Sequence, residues 1–202
     1  MGPVQSLAAC FVDVDKGFRK EAEARRGGRA GWHPGCTALC ALLVGNRLLV
    51  ANAGDCRTLV CREGAPVALS RDHTGSDADE RERVKDMGGS MEWRVGAWRV
   101  GEAGLEVTRS IGDGDLKPAV TAAPEIYEHW VEEEDEVLVV ASDGLWGAVS
   151  NEEAVRLVAD TVKDPFLAAQ RLATAAVERG SKDNVTVIVV FLKRVTTVER
   201  VY

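Results

Sequence analysis

The chain of 202 residues predicts an α+β protein on three observations. Helical patterns and antiparallel hairpins alternate along its length. Apolar strands are joined by a two-residue Gly45-Asn46 turn, which pairs neighbours antiparallel. Near the C-terminus a strand ending at Asp143 is followed by two amphipathic helices and then by a strand that opens after Asp183, so these strands can lie side by side in opposite directions. With 46% hydrophobic residues, the chain can bury one substantial core.

Leu7, Ala8, Phe11, Val14 and Phe18 recur at helical spacing and predict a helix over 5–24, with a strongly charged far end from Lys16 to Arg26. The Gly-rich stretch 27–35 reads as a loop, and His33 beside Pro34 as a solvated loop histidine. Strands are expected at 37–44 and 48–53. A third at 57–61 follows, turned by Arg62-Glu63-Gly64, and the three in a row read as a meander. Ser76 caps a short helix that carries Val84 and Met87 and stops at Gly88-Gly89, with its charged surface solvated. The segment 90–117, holding Trp93, Trp98 and Thr108-Arg109-Ser110, is too irregular for one element and reads as a flap or rim. From Val137 the pattern clears. A strand leads to Ser150 and Glu153 as a capping box, a helix to Val162, and a second helix from Asp164-Pro165 that Gly180 stops. A strand over 185–192 ends the pattern.

Composition excludes several function classes. The net charge is -7, and Lys and Arg are scattered among acids, which argues against a nucleic-acid footprint. No apolar run is long enough to span a bilayer and no leader opens the chain, so no membrane partner is expected; the expected location is cytoplasmic, with the nucleus as an alternative. Met1-Gly2-Pro3-Val4-Gln5-Ser6 meets the loose N-myristoylation pattern, which Pro3 fits poorly. The five cysteines form no Cys-x-x-Cys pair, so zinc and disulfide frameworks fit badly and buried reduced thiols are expected.

The residues that point to chemistry are Asp143 and Asp183. A carboxylate at the mouth of a buried strand is held rigidly at the rim of a core, and two such rims brought together form a hard-oxygen cradle for Mg2+ or Mn2+. Gly144 leaves room for a metal-bound water or a backbone carbonyl ligand. Read from the residues alone, Asp-Gly is also a common turn dipeptide and Asp183-Asn184 can be a simple cap, and both readings stay open.

Six ordered segments carry a resemblance: Gly35-Cys36-Thr37-Ala38, Ala51-Asn52-Ala53-Gly54-Asp55-Cys56-Arg57, Leu69-Ser70-Arg71-Asp72-His73, Thr108-Arg109-Ser110-Ile111-Gly112-Asp113, Ala141-Ser142-Asp143-Gly144-Leu145-Trp146 and Ser181-Lys182-Asp183-Asn184-Val185-Thr186. In order and spacing the chain resembles the metal-dependent serine/threonine protein phosphatases of type 2C from about Leu7 to Leu192. Asp115 to Thr121, Arg171 to Thr174 and the ending Val198-Glu199-Arg200-Val201-Tyr202 resemble the plant branch in which a phosphatase-like domain is fused to a protein kinase domain.

The resemblance implies two stacked antiparallel sheets flanked by helix pairs, with a binuclear Mg2+ or Mn2+ site at one end of the sandwich. It implies hydrolysis of phosphoserine or phosphothreonine in a phosphoprotein substrate by a metal-activated water. Carried over by position, Asp143 and Asp183 match metal ligands, and Asp55 matches an acid linked to an additional metal. Gly144, Asn184 and Asp113 match neighbours that set the geometry of the ligand loops. Gly147 stands where the family has an Asp, so the additional position lacks a ligand, and Cys56 replaces the usual Ser. The family's opening motifs supply a phosphate-gripping Arg, an acidic ligand pair, a bridging Asp-Gly and a His proton donor. They have no counterpart here.

Residues 1–194 therefore read as a partial domain of this fold, truncated at its N-terminus, and 195–202 as a tail. Strands lost from such sheets expose long edges and an apolar face. The expected function is that of a protein serine/threonine phosphatase family member, with no catalytic residue retained and no turnover expected of this chain alone. The alternative is a non-catalytic phosphatase-like domain that binds a protein partner such as a kinase. A chain with no function of its own fits the same residues.

Overall fold

The computed structural model describes residues 2–27, 34–161 and 167–193. From the N-terminus run helix α1 (Pro3–Arg26), strands β1 (Gly35–Cys36), β2 (Ala38–Val44), β3 (Arg47–Ala53), β4 (Arg57–Arg62) and β5 (Ala65–Ala68), and helix α2 (Ala78–Asp86). Strands β6 (Met91–Arg94), β7 (Ala97–Val100) and β8 (Ile111–Gly112), a 3-10 turn (Gly114–Leu116), and strands β9 (Glu125–Trp130) and β10 (Asp135–Ala141) follow. Helices α3 (Asp143–Trp146), α4 (Asn151–Ala159) and α5 (Ala168–Glu178) and strand β11 (Val187–Phe191) complete the order. The sheets run β11-β10-β4-β5, β2-β3-β9, β1-β8 and β6-β7. The α+β class holds, and no described helix is long and apolar enough to cross a membrane. His33, the start of the second C-terminal helix at Asp164-Pro165 and the tail from residue 195 lie outside the described residues.

The chain divides into two compact units. The first comprises residues 1–41, 51–55 and 72–126; the second comprises 42–50, 56–71 and 127–202.

In the first unit α1 starts on Pro3, where a missing N–H costs nothing, and stops at Gly27 in the left-handed region (φ 54). Phe11 is buried with Ala51, Ala53, Ile111 and Ala122, but Val14 and Phe18 are 53% and 39% exposed, so the apolar stripe does not continue as one buried face. A polar anchor takes over. Asp15 is buried, accepts from Gly112 N at 2.8 Å and from Arg19 Nε at 2.9 Å, and lies 3.5 Å from Lys117 Nζ.

Two expectations for α2 are corrected. Its N-cap is Asp77 rather than Ser76, because the Asp77 carboxylate reaches the N–H groups of Asp79 (2.8 Å) and Glu80 (3.3 Å). Its charged face is not merely solvated either. Glu80 is buried and accepts from Arg83 Nη2 (2.9 Å), Arg109 Nη2 (2.6 Å) and Thr108 Oγ1 (2.6 Å), so one carboxylate ties the helix to the Thr108-Arg109 segment. Burial opposes its ionisation, but these hydrogen bonds outweigh it and hold the carboxyl well below its usual range. The segment read as irregular contains the β6-β7 hairpin, with Trp93 opposite Trp98 and their rings edge to face at 5.7 Å. Its turn is hidden in the sequence because Val95, a β-branched residue, sits at φ 50 beside Gly96 at φ 78.

In the second unit β4 is buried along its centre and pairs with β10 on one side and β5 on the other. The meander expected from 37–61 is therefore incorrect: β2 and β3 pair, but β4 belongs to another sheet. Local spacing shows that strands follow one another and not which partner each takes, and here β10, far along the chain, is the partner. Helices α4 and α5 cover one face of the sheet. Ala154, Val155, Val158, Leu172 and Ala176 pack with Leu59, Val137, Val139 and Leu145. Ser150 caps α4 as expected, its Oγ accepting from Glu153 N at 3.2 Å, while the Glu153 carboxylate accepts from Arg156 and Arg179.

β11 forms a sheet edge whose other face carries Ile188 and Val190, 54% and 39% exposed, and in β2 Leu42, Leu43 and Val44 are exposed as well. The cysteines are corrected in part: Cys61 is buried, whereas Cys10 and Cys36 are exposed.

Candidate metal-binding site

β10 and β11 pair antiparallel, with Val137 opposite Phe191 and Ala141 opposite Val187. This register brings the C-terminal end of one strand beside the N-terminal end of the other. The residues beyond it are locked together. Ser142 N donates to Thr186 O (3.1 Å), Thr186 N donates to Ser142 Oγ (3.0 Å), and Ser142 Oγ donates to Asn184 O (3.2 Å). Ser181 Oγ donates to Gly144 O at 2.7 Å. A Cβ at Gly144 would overlap the Asn184 carbonyl oxygen and stand 3.0 Å from its carbon, so only glycine lets the two loops approach this closely.

Asp143 is the first residue of α3 and Asp183 lies in the loop before β11; both are exposed, and Asn184 N donates to Asp183 Oδ1 at 2.6 Å. The structure thus brings Asp143, at the start of α3, and Asp183, in the loop before β11, to one end of the four-stranded sheet. The support beneath is aromatic and charged. Trp146 Nε1 donates to Ala141 O (3.0 Å), and the Arg57 guanidinium lies 5.4 Å from the Trp146 ring centroid while donating to Asn151 Oδ1 (2.8 Å).

Asp55 and Asp113 fall in the first unit. Asp55 follows Gly54 in the link after β3 and is half-buried. Asp113 sits in the left-handed region (φ 46), accepts from Ser110 Oγ at 2.6 Å, and donates from its N–H to Pro34 O at 3.0 Å. Those bonds make it a turn-former against β1, where an added Cβ on Gly35 would overlap its carboxylate. Gly147 caps α3 with ordinary helical angles (φ -71, ψ -17), and a Cβ there would meet only Asp143 O, at 3.3 Å.

The oxygen donors fit a hard divalent cation in type. In number they form a partial shell, since among the described residues no group of three or more His, Cys, Asp or Glu side chains is placed to hold a metal. Sequence reasoning missed three buried groups that shape the first unit, Asp15, Glu80 and His73. Glu80 gave no signal, being one acid in a charged helix, whereas His73 stands inside one of the six ordered segments.

An α+β chain with acidic residues on paired loops at a sheet end is the class that fold and site define. A family model described as protein phosphatase 2C matches residues 5–185, and the chain belongs to that family. It is 52% identical over 204 residues to the Protein kinase and PP2C-like domain-containing protein of Oryza sativa subsp. japonica, covering 99% of this chain and 31% of the relative. To the protein of that name in Arabidopsis thaliana it is 54% identical over 202 residues, covering 98% and 31%. To Probable protein phosphatase 2C 59 of Arabidopsis thaliana it is 51% identical over 185 residues, covering 92% and 57%. The chain thus spans about a third of the first two relatives and a little over half of the third. Among solved structures, a sex determining protein of C. elegans matches with TM-score 0.82 at 27% identity, over 91% of this chain and 45% of that one. A serine-threonine phosphatase 2C from Toxoplasma gondii matches in fold with TM-score 0.83 at 23% identity, over 94% and 67%.

Proposed function

We propose that this chain supplies one rim of the metal-dependent site of a protein serine/threonine phosphatase, and that the 202 residues alone do not turn over phosphoprotein substrates. The observation that carries the reading is the lock between Ser142-Gly144 and Ser181-Thr186, which joins the two segments that carry these hard-oxygen donors. Asp143 and Asp183 would hold Mg2+ or Mn2+, and Asp55 would serve an additional cation. A cation bound there would lower the pKa of a coordinated water and neutralise phosphoryl oxygens. The chain's own part is to orient the carboxylates: Asn184 N–H directs one Asp183 oxygen, and Gly144 keeps the loops in contact. No phosphate-gripping Arg or His acid from the family's opening motifs is present in this sequence. Loss of a general acid alone lowers a rate by about 10²- to 10⁴-fold.

A second reading is favoured by one observation, the two relatives whose names join a protein kinase to a PP2C-like domain. On that reading the domain is non-catalytic and binds a kinase in cis or in trans. Mn2+ titration of the purified chain tests the first reading, with binding expected to weaken in Asp143→Asn and Asp183→Asn; unchanged binding in both would overturn it. Phosphopeptide hydrolysis is expected to match a metal-only control. Mn2+-dependent turnover that Asp143→Asn abolishes would show that a complete site exists in this chain.

A further inference from the structure

We infer that His73 is a positioning residue for Asp55, acting through the peptide groups on either side of Gly54; the inference rests on the reading of Asp55 as a metal-binding acid. His73 is fully buried, and both faces of its own peptide and both ring nitrogens are in use. Its backbone N–H donates to Gly54 O at 2.9 Å and its carbonyl accepts from Thr108 N at 2.8 Å. Its ring Nδ1 accepts from Gly54 N at 3.3 Å, and its Nε2 lies 3.2 Å from Glu125 Oε2. One residue therefore holds both the N–H and the C=O of Gly54. The Gly54 carbonyl belongs to the peptide plane that carries the Asp55 nitrogen, so fixing it fixes the direction in which Asp55 leaves the strand. Asn52 Nδ2 donates to the same carbonyl at 3.0 Å.

The backbone at Gly54 leaves no alternative. Its φ of 130 is closed to side-chain-bearing residues, and an added Cβ would overlap the Thr37 side chain. The ring chemistry is specific as well. Accepting at Nδ1 requires the neutral tautomer protonated at Nε2, which then donates to the Glu125 carboxylate. Burial, followed by the Arg109 charge, lowers the ring's pKa, and Glu80 and Glu125 oppose them; the net shift keeps the ring in that neutral form. A buried histidine serving the core alone needs only its volume and any two partners. One that aims Asp55 needs an acceptor at the δ position.

Isosteric substitutions separate the two roles. His73→Asn keeps an acceptor where Nδ1 stands and loses the ε donor, whereas His73→Gln keeps the ε donor and loses the δ acceptor. Mn2+ alone is titrated into the 15N-labelled full chain, with Mg2+ as diamagnetic control, and the Mn2+ concentration that halves each amide signal is read for Asp55, Asp143 and Asp183. In wild type and His73→Asn the Asp55 signal is expected to broaden at similar concentrations. In His73→Gln that concentration rises about 10- to 100-fold, the usual cost of losing the group that orients a ligand, while Asp143 and Asp183 are unchanged. Both variants lose thermal stability, so equal shifts at Asp55 in both would mean a structural role and overturn the inference. An unshifted Asp55 in His73→Gln overturns it too. If wild-type Asp55 does not broaden, the metal reading of Asp55 falls and takes the inference with it. Should neither variant fold, Glu125→Ala releases the tautomer and is expected to raise the Asp55 concentration; no rise overturns the inference.

Discussion

Gly144 touches the Asn184 carbonyl so closely that a Cβ on Gly144 would overlap its oxygen. The contact joins the two loops that carry Asp143 and Asp183, and its neighbour is backbone that cannot swing aside. Gly144→Ala is expected to cost about 1–3 kcal/mol by overpacking, read as a lowered urea midpoint, and to weaken Mn2+ binding in parallel. An alanine variant with unchanged midpoint and Mn2+ affinity would show that the loops are free to part.

Gly147 is the contrasting case, since a Cβ there meets only Asp143 O at 3.3 Å and the backbone is helical. Gly147→Asp is expected to change stability by no more than about 0.5 kcal/mol, as for a surface substitution, and to raise Mn2+ affinity by adding a carboxylate one turn from Asp143. Urea denaturation reads the stability and calorimetric titration the affinity; an unchanged affinity would count against a metal beside this residue.

The Glu80 carboxylate joins α2 to Thr108 and Arg109 through charged partners in a buried setting. Glu80→Ala leaves the Arg109 guanidinium without its counter-charge and is expected to cost about 3–5 kcal/mol in chemical denaturation. A loss below 1 kcal/mol, the range of exposed pairs, would show that water compensates it.

Acid stability follows from two carboxyls depressed in the folded state. Burial raises the Asp135 pKa, but hydrogen bonds from Arg62, the Glu132 N–H and His129 outweigh it and bring the group from 3.8 down to about 2. Glu80 is lowered from 4.5 in the same sense. A depressed pKa contributes stability that is present above the unfolded value and is lost as pH falls through the folded one. The unfolding free energy is therefore expected to be flat near neutrality with respect to these groups, and to fall as pH drops from 4.5 toward 2. Asp135→Asn should flatten part of that slope. A slope identical to wild type would remove Asp135 from the account.

Burial, followed by a hydrogen bond to Glu136, pushes the Cys61 thiol up to about 12, whereas Cys10 and Cys36 are exposed. Since the thiolate is the reactive form, iodoacetamide at pH 8 is expected to label Cys10 and Cys36 and to reach Cys61 only in denaturant. Peptide mass mapping reads the sites. Labelling of Cys61 at the rate of Cys36 in the folded chain would show that β4 opens locally.

β11 is an edge strand within an uncharged run, Val185 to Leu192, with Ile188 and Val190 turned outward. Such an edge templates pairing with other chains, and a charge on it blocks this. Ile188→Lys is expected to reduce concentration-dependent light scattering without lowering the thermal midpoint. Equal scattering from the variant would place the sticky surface elsewhere.

Short-range physics was legible in the chain. The 3.6-residue period of α1, the Ser150 cap of α4, the glycine stop at Gly180 and the Gly45-Asn46 hairpin are all set by neighbours a few residues apart, and each formed as its residues dictate. So was the pairing that brings Asp143 and Asp183 to one sheet end, because the helices between their strands return the chain to the same sheet, although the structure places three there, α3, α4 and α5, where the spacing predicts two. The partner of β4 was not legible. Its choice of β10 over β3 is decided by burying both of its faces in a central position, a gain spread over distant residues that no window along the chain contains. The roles of Glu80 and His73 were hidden for the same reason. A charged or imidazole group gains its meaning from the partners that replace its water, and Arg109 and Glu125 reach these two only when the chain is folded. Sequence determined the elements that short spacing sets and the place of Asp143 and Asp183 at strand ends; tertiary structure decided which strands share a sheet and which polar groups are buried, because both depend on desolvation that exists only once distant segments meet.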